Sequence, residues 1–144
     1  MQGIRPARVE RPTYVWLAVA LQVVTGALAV PVGLQMISAP NGDPLGLPQA
    51  WIDATPFGSY LIPGLFLLAI NGFGQLLAAA LSVVRHPLAP WLTGALGVGL
   101  IVWITVQVIV MPFHPLQPIL FTVGAIEAFV ALFWLRRLQH PGSS

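Results

Sequence analysis

Long apolar runs dominate this chain, and four of them reach the length of a membrane span. They cover residues 14–36, 60–84, 91–111 and 117–138, with short polar or proline-containing segments between them. A helix needs about 20 apolar residues to cross the hydrocarbon core of a bilayer. Because a backbone in lipid must satisfy its hydrogen bonds within the segment, each run is predicted to be a helix. The pattern therefore predicts an all-α integral membrane protein, built as a four-helix bundle.

Composition supports the same conclusion. Of the 144 residues, 57% are hydrophobic and 7% are charged, whereas a soluble domain carries about 25% charged residues. We expect a single transmembrane domain over residues 1–144, with tails at 1–13 and 139–144. The first apolar run is longer than the core of a signal peptide, which ends at about 15 residues, so we expect it to be retained as a helix.

Charge and cysteine content exclude several functions. A net charge of +2 is too small to predict a nucleic-acid partner. The chain has no cysteine, which excludes a dithiol redox centre, a disulfide framework and a cysteine-type zinc site.

Arginines mark one side of the predicted membrane. Three precede the first run, one lies between the second and third runs, and two end the fourth, whereas the 37–59 loop has none and holds Asp43 and Asp53. Basic residues concentrate in cytoplasmic loops. We therefore expect both termini to be cytoplasmic (N-in, C-in) and the protein to lie in a bacterial cytoplasmic, or inner, membrane.

The 37–59 loop is predicted to be a structured extracytoplasmic cap with a short helix over residues 49–54. It begins with turn-forming residues and is too apolar for a solvated tether. Its two aspartates could form a cation site, but carboxylates in such loops more often cap turns and helices, and we favour capping.

Three residues are candidate ligand contacts at the outer face: Trp51 and Phe57 in this loop, and His114 in the turn between the third and fourth runs. His114 could bind the metal of a porphyrin or chlorin, although an interfacial histidine with local partners is the more common situation. The predicted orientation places His86 and His140 on the opposite side of the membrane, so a three-histidine metal site is not expected.

Polar and small residues share faces of the predicted helices. Gln22 and Thr25 lie on one face of the first helix, Asn71 and Gln75 on one face of the second, and Glu127 on the fourth. Gly99, Trp103 and Gln107 form the best matching face of the third helix. Because polar side chains avoid lipid, these faces are predicted to point inward. At 1.5 Å per residue, Gln22, Gln75 and Glu127 all lie about 12–14 Å from the cytoplasmic helix ends. This depth predicts one buried polar cluster, with Asn71 and Thr25 just outward of it.

Glu127 is the one acid inside a span, and no basic residue lies at its depth. Without a cation partner it is expected to be mostly protonated near neutrality. It then acts either as a neutral hydrogen-bonding group between helices or as a proton- or cation-coupling group. We favour the hydrogen-bonding role, because proton transfer across the membrane needs further titratable groups beside a single acid.

No catalytic residues are predicted. The serines have no histidine and acid nearby in sequence, and phosphate-loop, dinucleotide and metalloprotease motifs are absent. We therefore expect a protein that is not an enzyme, with no metal site and no cofactor, although contact with lipid or pigment is compatible with the apolar surface.

Three segments carry a resemblance to known proteins: TPFGSYLIPGLFLLAINGFG at 55–74, WITVQ at 103–107 and HPLQP at 114–118. Together they resemble small four-helix membrane proteins of bacteria, which are DoxX-like in size and span count. The likeness covers most of the chain from Leu45 onward and implies a membrane location but no activity. The four-helix vitamin-K-reductase type is similar in outline, but its chemistry needs cysteines that this chain lacks.

These observations favour an accessory or structural subunit that packs against other membrane proteins of a larger complex, or against copies of itself. Two alternatives stay open: a small carrier or ion- or proton-coupled transporter that uses Glu127, and a binder of an apolar ligand in the bundle core.

Overall fold

The computed structural model describes residues 7–142, and all regular secondary structure in that range is helical. Four helices are long and apolar enough to cross a membrane. In chain order the helices are α1 (Val15–Ser38), the short α2 (Gln49–Asp53), α3 (Leu61–Val83), α4 (Ala89–Val110) and α5 (Leu116–Gln139). The all-helical fold class and the four span-length helices are confirmed, and each span begins and ends within two residues of its prediction.

Prolines account for both ends of α4. Pro90 lies in its first turn, where a missing N–H breaks no hydrogen bond. Met111 precedes Pro112 and is extended, with φ −128° and ψ 153°, because proline disfavours the helical conformation in the residue before it. The helix therefore starts two residues earlier than predicted and stops before the Met111–Pro112 step.

The middle of α3 is wound as a π-helix from Leu67 to Gly74. The Gln75 N–H donates to the Ile70 carbonyl five residues back. Two glycines, Gly72 and Gly74, lie in this segment and weaken the preference for a regular α-helix. The wider winding was not predicted from the sequence, and it directly precedes Gln75.

The bundle consists of two closely packed antiparallel pairs, α1 with α3 and α4 with α5. Glycines allow the backbones to touch. A Cβ on Gly97 of α4 would lie 2.6 Å from the backbone nitrogen of Ala128, and one on Gly124 of α5 would lie 2.8 Å from the Gly97 carbonyl oxygen. Gly33 and Gly64 make the corresponding close approach between α1 and α3.

The exposed surface of the helices is largely apolar, and several polar side chains lie in the interior. Ile109 is 77% exposed and Phe129 is 62% exposed, whereas Gln22, Gln75 and Glu127 are fully buried. In a water-soluble protein the large apolar side chains would be inside. This distribution is what a bundle surrounded by lipid requires.

The residues before α1 form an N-terminal strap, residues 9–11, across the helix ends. The Val9 N–H donates to the Arg85 carbonyl at 3.0 Å, and the Trp134 indole N–H donates to the Glu10 carbonyl at 2.7 Å. The Arg11 guanidinium donates to the carbonyls of Ser82, at 3.3 Å, and Val83, two of the last carbonyls of α3. The strap therefore links α3 to α5 and satisfies carbonyl groups that have no partner within the helix.

The loop between α1 and α3 is held by Tyr60, which is 2% exposed. Its hydroxyl donates to the Pro48 carbonyl at 2.9 Å, and its N–H donates to the Pro40 carbonyl at 2.8 Å. Burial, and secondarily the Asp53 carboxylate, raise the pKa of the Tyr60 phenol. The loop also contains a 3-10 turn, Asp43–Leu45, besides α2.

Candidate functional site

Two hydrogen-bonded polar pairs lie inside the bundle. In the first, Gln75 Nε2 of α3 donates to Glu127 Oε2 of α5 at 3.1 Å. In the second, Gln22 Nε2 of α1 donates to Thr93 Oγ1 of α4 at 3.0 Å. All four side chains have no exposed surface. Each bond joins one helix of the α1–α3 pair to one helix of the α4–α5 pair, so the two bonds tie the halves of the bundle together.

The two pairs lie at similar depth. A Cβ on Gly97 would lie 3.0 Å from the Cβ of Glu127, which places these two positions at one level. Thr93 is four residues before Gly97 on α4, a distance of about 6 Å along the axis. The Gln22–Thr93 bond is therefore about one helical turn from the level of Glu127.

The sequence predicted one cluster of Gln22, Gln75 and Glu127, with Asn71 and Thr25 just outward. The structure brings Gln75 to Glu127 and places Gln22 on Thr93 instead. Within residues 7–142 no hydrogen bond connects the two pairs. Asn71 is 6% exposed and lies in the π-helical segment, and Thr25 is half-buried.

Three oxygen atoms of these pairs are buried without a hydrogen-bond partner: Oε1 of Gln22, of Gln75 and of Glu127. Leaving a polar group buried and unpaired costs about 1–3 kcal/mol. A proton on Glu127 would turn its Oε1 into a donor. The nearest arginine along α5 is Arg136, nine residues away or about 14 Å along the axis. The site is therefore suited to a neutral acid, or to an acid that exchanges a proton or binds a cation.

Thr93 was missed by the sequence analysis, and the predicted inward face of the third helix was wrong. Gly99 is exposed, and a Cβ placed on it would meet no atom within 4 Å beyond its own stretch of helix. Trp103 is half-buried and stacks on Phe66 at 5.6 Å between ring centroids. The buried face of α4 instead carries Thr93, Gly97, Leu100 and Ile104. A signal was present, because Thr93 precedes Gly97 by four residues just as Gln22 precedes Gly26.

In the described part of the chain, no hydrogen bond and no ring stacking joins the three candidate outer-face residues to one another. Trp51 is half-buried, Phe57 is 37% exposed and His114 is exposed. Nδ1 of His114 accepts a hydrogen bond from the Leu116 N–H at 3.2 Å, which uses that nitrogen in the local turn. A role for these residues in ligand binding stays a prediction.

Both aspartates of the 37–59 loop have local partners. Asn41 Nδ2 donates to Asp43 Oδ2 at 2.6 Å, and Gln49 Nε2 donates to Asp53 Oδ1 at 2.9 Å. Over residues 7–142, no three histidine, aspartate or glutamate side chains lie close enough together to hold a metal ion. Among the described residues, the pairs Gln75–Glu127 and Gln22–Thr93 are therefore the strongest candidate for a functional site.

Comparisons with known proteins add no family or relative. No protein-family model matches the chain, and neither a curated protein nor a solved structure matches it. The four span-length helices and the two buried polar pairs thus carry the functional argument by themselves.

Proposed function

We propose that this chain is a non-enzymatic membrane protein that serves as an accessory or structural subunit, packing against other membrane proteins or against its own copies. The observation that carries the proposal is the complete burial of Glu127 and its bond to Gln75. A carboxyl group that is fully packed between two helices acts as an interhelical hydrogen-bonding group, worth about 0.6 kcal/mol on average. Such a protein would function through its outer surface, where other membrane proteins bind.

The lipid-facing surface supports this role. Large apolar side chains cover it, and α4 offers an open position at Gly99, where no neighbouring atom lies within 4 Å of a Cβ. Helices associate in membranes through such close approaches. We also propose that the bundle lies in a bacterial cytoplasmic membrane, with the arginine-bearing ends and both termini in the cytoplasm. No cofactor is part of the proposal, and lipid or pigment would lie between subunits.

The test is purification of the tagged full-length chain from its native membrane in a gentle detergent, with identification of every co-purifying protein and pigment. We expect a defined complex. Gly99→Leu should remove the partner, because the larger side chain blocks the open face without touching the bundle interior. Ala20→Leu, at an exposed position of α1, is the matched control and should retain it. Purification of the unchanged chain as a solitary monomer would overturn the proposal.

A second function is favoured by the three unpaired oxygens. Proton- or cation-coupled transport needs a buried carboxyl group with a further oxygen ligand close by. Glu127 is such a group, and Gln75, which is hydrogen-bonded to it, also has an unpaired Oε1. In proteoliposomes with a pH-sensitive dye inside, such a carrier would dissipate a proton gradient, and Glu127→Gln would abolish the flux. Equal leakage from vesicles with the unchanged chain and with Glu127→Gln would exclude this function.

A further inference from the structure

Arginines gather at the end of the bundle where α1 begins and where α3 and α5 finish. Three of them, Arg11, Arg85 and Arg137, line one cleft of about 340 Å³. Its other lining residues are Glu10, Pro12 and Thr13. We call this the arginine cleft. Three arginines and one acid line this space, so the cleft carries an excess of positive charge.

Arg11 is the lining residue of the arginine cleft whose side chain is held in place. Its guanidinium is held by the Ser82 and Val83 carbonyls and lies over the Trp16 ring, 4.3 Å from the centroid. A side chain held this way is preorganised, so it loses little conformational freedom when an anion arrives.

Arg85 occupies an unusual backbone position. Its φ is +59°, in the left-handed region. The Arg85 N–H donates to the Ser82 carbonyl at 3.3 Å and the His86 N–H to the Leu81 carbonyl at 2.9 Å. This is the pattern of a helix end at which glycine is the usual residue. A side chain in a disfavoured backbone conformation is a reason to look for a function of that side chain.

We propose that the arginine cleft binds the phosphate of an anionic phospholipid. Guanidinium groups form paired hydrogen bonds with phosphate oxygens, and the Thr13 hydroxyl is a further donor. Basic pockets at the cytoplasmic ends of membrane helices suit such headgroups. Leu17, one helical turn after Thr13, and Val84, directly before Arg85, are 52% and 60% exposed and offer apolar surface for the acyl chains. The site is independent of the accessory-subunit role.

The net charge of the arginine cleft, rather than Glu10 itself, selects among possible lipids. Glu10 lowers the positive charge of the cleft but leaves an excess, because three arginines line the same space. The Glu10 backbone is held by the Trp134 indole, so the residue stays beside the cleft. A headgroup with one negative charge therefore fits better than one that also carries an ammonium group, as phosphatidylcholine does.

The test uses the full-length chain in detergent, titrated with phosphatidylglycerol, phosphatidylcholine or inorganic phosphate, with bound lipid counted by native mass spectrometry. We expect phosphatidylglycerol to bind about tenfold more tightly than phosphatidylcholine. Arg85→Gln should weaken phosphatidylglycerol binding about tenfold, the loss of one charge-assisted contact. Arg8→Gln removes an equal charge from the same end, outside the cleft, and should change binding less than about twofold.

Arg85→Gly separates binding from folding. Glycine suits the left-handed position, so this variant should unfold at the same temperature as the unchanged chain or higher, while losing lipid affinity as Arg85→Gln does. Equal weakening by Arg8→Gln and Arg85→Gln would mean diffuse attraction and would overturn the proposal. So would equal binding of the two lipids, or displacement of phosphatidylglycerol by inorganic phosphate, which would assign the cleft to a free anion.

Discussion

Glu127 dominates the chemistry of the bundle at the scale of single residues. It is fully buried, it accepts a bond from Gln75, and its second oxygen has no partner. In an apolar surrounding the ionised form is strongly disfavoured unless a cation is near. A neutral acid at this position resembles glutamine in shape and in hydrogen-bonding capacity, which makes its role testable.

Glu127→Gln should leave the protein folded, with a change in stability below about 1 kcal/mol, because the amide can still bond to Gln75. Glu127→Ala should cost about 1–3 kcal/mol, since the Gln75 amide then has no partner. Unfolding in mixed micelles measures both.

The single change Gln75→Ala and the double change Gln75→Ala with Glu127→Ala complete the cycle, and we expect a coupling energy of about 0.6 kcal/mol. Gln139→Ala, a change at an exposed position near the end of α5, should have no effect and serves as the control. A larger loss in Glu127→Gln than in Glu127→Ala would contradict a neutral, structural Glu127.

At the scale of the elements, glycines set how closely the helices approach. Gly97 and Gly124 bring the backbones of α4 and α5 into contact, and this contact positions Glu127 next to α4. Gly99 lies two residues further along the same helix and faces open space. The same residue type therefore has opposite roles within one helix.

Gly97→Ala should destabilise the bundle by about 1–3 kcal/mol, because a methyl group would press on the backbone of Ala128 and Gly124, which cannot move aside as a side chain can. Gly99→Ala should be neutral or stabilising by up to about 1 kcal/mol, since alanine favours the helix and nothing opposes it. Thermal unfolding in detergent compares the two, and equal effects would show that the α4–α5 contact is looser than described.

The π-helical segment of α3 is the element that sequence patterns did not predict. Apolar periodicity locates a helix but does not tell a π-helix from an α-helix. The largely apolar segment Leu67–Gly74 is compatible with both. The same limit explains the error on α4. A hydropathy pattern gives nearly equal weight to several faces of a helix that is apolar all round, and only its neighbours select one.

At the scale of the whole molecule, charge separates the two ends. The described arginines lie at or next to the helix ends that meet the N-terminal strap, and Asp43 and Asp53 lie in the loop at the other end. This asymmetry is the basis for the proposed orientation. Because the chain has no cysteine, single cysteines can be introduced to test that orientation.

Single cysteines placed at exposed positions should report the orientation. Ala50→Cys, in α2, should react with a membrane-impermeant maleimide in intact bacterial spheroplasts, because the 37–59 loop is proposed to lie outside. Gln139→Cys, at the end of α5, should react only after the membrane is permeabilised. The opposite pattern would reverse the orientation, and the cysteine-free chain is the labelling control.

The sequence alone determined the four span-length helices, their ends to within two residues, and the presence of polar residues inside them, because apolar length, prolines and isolated polar side chains are local properties. Only the tertiary structure decided that Gln22 pairs with Thr93, that Glu127 pairs with Gln75, and that Arg11, Arg85 and Arg137 share a cleft. The reason is physical. Partners between helices depend on rotation and depth, and these follow from backbone contacts at glycines that lie far apart in the chain.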